Sequence, residues 1–259
     1  IFGYRDGPAG VNPVVYRLDN GVAVRRSIEE ARELLQRAGY AGGRDPDTGK
    51  PLILYFDTAA TGPDSKALLS WYRKQFQKLG IDLVFRTSDY NRFQEKMLKG
   101  NAQLFAWGWN ADYPDPENFL FMLYGPHSRV KHHGENTANY SNAEFDRLFD
   151  AMKFLPNGEE RQQIIDRMLA IVRHDAPWAW GFYPVDYVLH HQWYSNAKPN
   201  LMANNVLKYK RIDADTRARL RSSWNQPILW PVVAFIALLL LSLLPAIYLY
   251  RRRERSTAR

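Results

Sequence analysis

The chain has 259 residues, 46% of them hydrophobic and 14% aromatic, enough for one large domain or two small ones with a real core. The absence of cysteine excludes disulfides, thiol catalysis and Cys-ligated metals. The net charge of +8 does not mark a nucleic-acid binder: the last nine residues hold five Arg and one Glu, and the remaining cations are scattered among acids without a basic stripe.

Ser27-Ile-Glu-Glu30 has the pattern of a capping box, and Ile28, Ala31, Leu34, Leu35 and Ala38 follow at helical spacing until Gly39. Residues 40–51 are rich in Gly and Asp and read as a loop. Leu52–Phe56 reads as a strand. Ser65–Leu79 reads as a helix burying Leu68, Trp71, Tyr72, Phe76 and Leu79, with Gly80 as its stop. Ile81–Arg86 reads as a strand, Tyr90–Leu98 as a helix ended near Gly100, and Gln103–Trp109 as a third strand. This β-α-β-α-β order predicts a parallel sheet with right-handed crossovers. Two helices follow, Ala143–Lys153 capped by Asn142 and Gly158–His174 with Asn157 and Glu160 as capping pair. Trp178–Tyr183, Val185–His190 and Val206–Ile212 read as strands, and Asp213–Arg221 as a polar connector.

From Ser222 to Tyr250 no residue is charged, and the 23 residues Ile228–Tyr250 are almost wholly apolar. As a helix they reach roughly 34 Å, enough to cross a hydrocarbon core of about 30 Å. Trp224 and Trp230 lie at one end, and Tyr248 and Tyr250 at the other, where interfacial aromatics belong. Pro231 falls in the first turn, and Pro245 predicts a kink. The cluster Arg251, Arg252, Arg253 and Arg255 predicts a cytoplasmic C-terminus and a domain facing outward.

The segment 106–119 (Ala-Trp-Gly-Trp-Asn-Ala-Asp-Tyr-Pro-Asp-Pro-Glu-Asn-Phe) holds the densest chemistry, just past the end of a parallel strand, where open α/β sheets place ligands. Trp107, Trp109 and Tyr113 offer flat apolar contact, and Asp112 a charge for a ligand cation. The plainer reading makes the Trp side chains core and lets Asp115 and Glu117 stay solvated or cap the next helix. An enzymatic reading pairs Asp112 with Asp115. His127, His132 and His133 lie within seven residues and His190 and His191 are adjacent, but adjacent strand residues point to opposite faces. No Gly-rich phosphate loop, G-x-S-x-G or H-E-x-x-H is present.

The order of motifs carries a resemblance. Ala31-Arg-Glu-Leu-Leu-Gln-Arg-Ala-Gly-Tyr40 is followed by Leu79-Gly80-Ile81, then Gly108-Trp-Asn-Ala-Asp-Tyr-Pro-Asp-Pro116 and Asn118-Phe119-Leu120. Tyr140-Ser-Asn-Ala-Glu-Phe-Asp146 and Asp175-Ala-Pro-Trp178 complete it. Over roughly residues 1–212 the chain resembles the C-terminal half of the solute-binding proteins of peptide and nickel ABC importers, extracellular solute-binding protein family 5. The resemblance implies an α/β fold: one lobe of a type II periplasmic-binding-protein-like architecture, a parallel-core sheet flanked by helices, to which the apolar segment adds one C-terminal transmembrane helix. It implies a lobe over 1–182 and strands over 183–212 returning toward an N-terminal lobe that the chain lacks. A connector at 213–226, a membrane helix at 227–250 and a basic cytoplasmic tail at 251–259 then follow.

By this resemblance Asp112 pairs with a peptide α-ammonium, Trp107 and Trp109 are cleft walls, and Tyr113 is a further ligand contact. The implied partners are a short peptide or other small solute and ABC permease subunits, with the membrane reached through the C-terminal helix. No nucleic acid, no cofactor, no metal ligand set and no catalysis are expected. A binder of nickel or another metal chelate, which predicts His127, His132 or His133 in the cleft, and a membrane-tethered sensor are the alternatives.

Overall fold

The computed structural model describes residues 2, 3, 5, 7–183, 185, 187–197 and 207–257. They fall into two compact units, residues 1–184 and 185–259.

The first unit begins with a hairpin absent from the expectations above. Strands β1 (Tyr16–Asp19) and β2 (Val22–Arg25) pair antiparallel, with Asp19 opposite Val22. Asn20 (φ 49°) and Gly21 (φ 79°) are both left-handed, as a two-residue hairpin turn matched to strand twist requires. Helix α1 (Ile28–Arg37) is capped as expected: Ser27 Oγ accepts from Glu30 N at 3.2 Å, and Ser27 N donates to Glu30 Oε2 at 2.7 Å.

The sheet is parallel with order β4-β3-β5, built from β3 (Ile53–Thr58), β4 (Asp82–Thr87) and β5 (Leu104–Phe105). Helix α2 (Pro63–Gln77) links β3 to β4, and α3 (Tyr90–Leu98), capped by Asp89, links β4 to β5. The third strand is shorter than Gln103–Trp109. Its ladder to β3 holds only Phe56–Leu104 and Asp57–Phe105, because β3 ends at Thr58 and nothing remains for Trp107–Trp109 to pair with. The α2 face also differs: Tyr72, Phe76 and Leu79 turn inward, while Leu68 and Trp71 stay 41% and 52% exposed. Gly80 is needed for a close approach: a Cβ there would lie 2.2 Å from the Gly42 carbonyl oxygen, so the loop after α1 packs backbone to backbone on the α2–β4 turn.

Short helices α4 (Glu117–Leu120) and α5 (Arg129–His132) precede α6 (Ala143–Met152) and α7 (Glu159–Asp175). Asn142 caps α6 by accepting from Glu144 N and Phe145 N, both at 3.0 Å. Asn157 does not cap α7. The N-cap is Gly158, and the Asn157 side-chain oxygen accepts from the Arg161 guanidinium at 2.6 Å. The core seam joins Phe145, Phe149 and Met152 of α6 to Ile165, Met168 and Val172 of α7, with Leu120 and Leu123 beneath. Each such buried side chain contributes about 1.5–3 kcal/mol relative to exposure.

Asp57, on the central strand, is fully buried and holds Arg86 of β4 at 2.5 Å and Lys96 of α3 at 2.7 Å. Both cations keep partial access to water, so they relax outward if the carboxylate is lost. Asp57→Asn is therefore expected to cost about 2 kcal/mol, read as a lower urea midpoint with an unchanged slope.

In the second unit, β6 (Tyr194–Ser195) and β7 (Arg211–Ile212) form a short antiparallel pair. The expected strands at 178–183, at the end of the first unit, and at 185–190, at the start of the second, do not form among the described residues. Tyr183 and Leu189 are 97% and 99% exposed, with no ladder partner beside them. Of the expected Val206–Ile212 strand only Arg211–Ile212 pairs; Leu207–Tyr209 is a 3-10 turn and Val206 lies outside the described residues. The stretch read as a connector is helical: Asp213 accepts from Thr216 N at 3.0 Å and starts α8 (Ala214–Trp224). Helix α9 (Trp230–Thr257) closes the chain, and its segment Trp230–Glu254 is long and apolar enough to cross a membrane.

Candidate ligand-binding site

The chain leaves β5 at Phe105 and runs over the C-terminal edge of the sheet before α4 begins at Glu117. One buried residue sets the shape of this loop. Asn118 is 3% exposed, and its side-chain oxygen accepts from Trp109 Nε1 at 3.1 Å and from the Asp112 backbone N at 2.9 Å. Its amide nitrogen donates to Asp112 Oδ2 at 3.4 Å. Asp112 is thus anchored through backbone and side chain while remaining exposed.

The two tryptophans are neither core nor free. Trp107 packs edge-on against Tyr90 and Phe93 of α3, and Trp109 against Phe121, yet they stay 40% and 36% exposed. One side of each ring is fixed, and the rest is available for flat contact. Arg129 adds a cation 5.8 Å from the Trp107 ring centre, its guanidinium also bonded to Gly134 O and Glu135. Tyr113 is exposed and its hydroxyl donates to Glu117 Oε2; burial and that carboxylate hold the phenol above its ordinary range. The Tyr113 hydroxyl is therefore committed within the loop, and its ring is what a ligand could meet.

Asp115 takes a different part from Asp112. It receives two parallel N–H bonds from Arg161, both 2.8 Å, and a third from Glu117 N at 2.9 Å that caps α4. The Arg161 guanidinium holds the Asp115 carboxyl below the usual range. Asp115 is thus engaged by a structural cation and by the backbone of α4. The histidines do not converge either. His127 sits in a ring cluster with Phe121 and Tyr124, its Nδ1 3.3 Å from the Phe121 carbonyl, while His132 and His133 are exposed.

The site brings Trp107, Trp109, Asp112 and Tyr113 onto one loop. It adds three residues whose roles sequence reasoning did not assign. Asn118 could have been flagged as the amide that precedes the apolar pair Phe119-Leu120. Arg129 and Arg161 carry no local signal, since Arg161 lies 46 residues from Asp115.

Residues 4–129 match the family described as bacterial extracellular solute-binding proteins, family 5 middle. The Haemophilus influenzae protein named heme-binding protein A is 30% identical over 151 residues, 58% of this chain and 26% of the relative. Di/tripeptide-binding protein 3 of Pseudomonas aeruginosa is 25% identical over 149 residues, 57% of this chain and 26% of the relative. The chain thus spans about a quarter of the length of these curated relatives. A Borrelia burgdorferi periplasmic oligopeptide-binding protein shares the fold with a TM-score of 0.59 at 20% identity, over 82% of this chain and 39% of that one. The family match over residues 4–129 and the relatives' names as binding proteins agree with the α/β fold: this part of the chain is similar to the bacterial extracellular solute-binding proteins of family 5.

Proposed function

We propose that this chain is the ammonium-recognising part of a solute-binding component that delivers short peptides to an ABC permease. The observation that carries this is Asp112, an exposed carboxylate fixed by buried Asn118 on the loop that also bears Trp107 and Trp109. In open water such a charge gains little from a ligand cation, but closure of a second lobe lowers the local dielectric and strengthens the pair several-fold. The half-exposed rings supply sequence-tolerant apolar contact, as a receptor for varied side chains needs. The test is calorimetric titration of the complete gene product with di- to pentapeptides. Binding that requires a free peptide N-terminus supports the proposal, and equal binding of N-acetylated peptides overturns it.

The lobe is tethered by α9. The 25 residues Trp230–Glu254 measure about 37 Å as a helix, more than the hydrocarbon thickness of about 30 Å. The cluster Arg251, Arg252, Arg253 and Arg255 supports a cytoplasmic C-terminus with the lobe outside, by the positive-inside rule. Tethering raises the effective concentration of receptor at its permease. The chain is expected to stay in the pellet after alkaline carbonate extraction, and its lobe to be digested by protease added to spheroplasts. Release by carbonate removes the anchor, and a protected lobe reverses the orientation.

A second reading has the exposed rings of Trp107, Trp109 and Tyr113 in its favour: a flat solute or metal chelate, in keeping with the name of the Haemophilus relative. Haemin in the same titration separates the two, since it has no ammonium to offer Asp112.

A further inference from the structure

The second unit holds a site that solute recognition does not use. His191 stacks on Trp193, ring centres 4.1 Å apart at 19°, and Trp224 at the end of α8 closes on both, 5.5 and 5.3 Å away. Trp193 is 6% exposed, and its carbonyl accepts from Asp213 N at 3.0 Å, which fixes the start of α8 against the β6–β7 pair. Beside this stack runs an open groove of about 420 Å³, lined by His191, Trp193, Tyr194, Arg217, Arg221 and Trp224. Arg217 and Arg221 are four residues apart on one helix, so their side chains emerge on the same face, roughly 5–6 Å apart at Cβ. Neither forms an ion pair among the described residues, and Asp213, four residues before Arg217, accepts from Thr216 N and Oγ1.

We propose that this groove binds the headgroup of an anionic glycerophospholipid in the outer leaflet. The inference rests on α9 being a membrane span. Trp224 is six residues before Trp230, where α9 begins, and six residues reach at most about 21 Å, so the groove stands in or beside the headgroup layer. Two guanidinium forks on one face match a phosphodiester, which accepts parallel N–H bonds. The Trp and Tyr rings are amphipathic groups of the kind that settle at the interface. Charge, ring chemistry and depth thus agree on one occupant. Its binding would orient the lobe above the membrane by fixing the base of the tether.

The test uses the full chain in detergent, titrated by native mass spectrometry with dihexanoyl phosphatidylglycerol and, in parallel, dihexanoyl phosphatidylcholine. Wild type is expected to prefer the anionic lipid. The double variant Arg217→Gln/Arg221→Gln is expected to lose roughly 30-fold in affinity for it, as removal of two interfacial arginines implies. The control Lys210→Gln/Arg219→Gln removes the same charge outside the groove lining, since Arg219 lies on the opposite side of α8, and is expected to stay within about threefold of wild type. Equal binding of both lipids, an equal loss in the control pair, or displacement by equimolar inorganic phosphate each overturns the proposal. Because short-chain lipid binds from solution, these outcomes are independent of carbonate extraction, which tests the membrane span itself.

Discussion

Replacing Asp115 by Ala is expected to lower the stability of the first unit by about 3 kcal/mol, the largest folding effect available in the ligand loop. The reason is the partner left behind. Arg161 is 4% exposed, and besides Asp115 its hydrogen-bond partners among the described residues are the Met152 carbonyl and sulfur and the Asn157 amide oxygen. Without Asp115 a buried guanidinium keeps its charge and loses two charge-assisted bonds, while Glu117 N loses the acceptor that starts α4. The figure sits at the low end for buried pairs because the Asp115 side chain is 29% exposed, so water can reach the vacated position. The contrast with Asp57 is instructive: there the carboxylate is buried and the cations are wet, so removing the acid strands no cation.

The same pair makes stability depend on pH with a definite sign. The folded pKa of Asp115 is depressed below its unfolded value of about 3.9. Its contribution is therefore fully present above that value and is lost as pH falls through the folded pKa. Urea midpoints followed by near-ultraviolet circular dichroism should converge for wild type and Asp115→Ala as pH drops below about 4 and differ fully at pH 7. A constant gap across that range would mean that ionisation of Asp115 contributes nothing. Adding Arg161→Met to Asp115→Ala should restore part of the loss, since removing both charges strands neither.

What the sequence made legible follows from how local each cause is. The capping box at Ser27, the Tyr90–Leu98 helix, the Asn142 cap and the parallel β-α-β-α-β order depend on side chains a few residues apart, and they stand where expected. The candidate site on the 106–119 loop was legible as a cluster because Trp107, Trp109, Asp112 and Tyr113 are neighbours in sequence. Its wiring was not. Nothing near Asp115 announces Arg161, and an Asn at 118 does not state that it will hold the Asp112 backbone. The β1–β2 hairpin has its own local cause in Asn20-Gly21, a pair suited to the left-handed turn between two short strands. The expected strands after Trp178 failed for the opposite reason: their apolar, β-branched composition is a strand signal only when a ladder partner exists.

Asp112→Asn is expected to weaken peptide binding by roughly 30-fold or more, the loss of about 2–5 kcal/mol typical when one partner of a desolvated charge pair is truncated. The substitution is nearly isosteric, so Asn118 can still meet the loop and the fold should be undisturbed. Thermal midpoints within a degree or two of wild type would confirm that the loss lies in binding. Asn118→Leu provides the complementary comparison. It leaves the Asp112 charge intact but removes the acceptor shared by Trp109 Nε1 and the Asp112 backbone N. Two buried or half-buried donors then lack a partner, at about 1–3 kcal/mol of stability, and the carboxylate is free to wander. If Asp112 acts by being held in place, Asn118→Leu should lower both stability and peptide affinity, and Asp112→Asn affinity alone. If Asn118→Leu costs stability but binds peptide as wild type does, charge without placement is sufficient. If Asp112→Asn binds as wild type does, the ammonium is recognised elsewhere, and the loop serves its solute through the rings of Trp107 and Trp109.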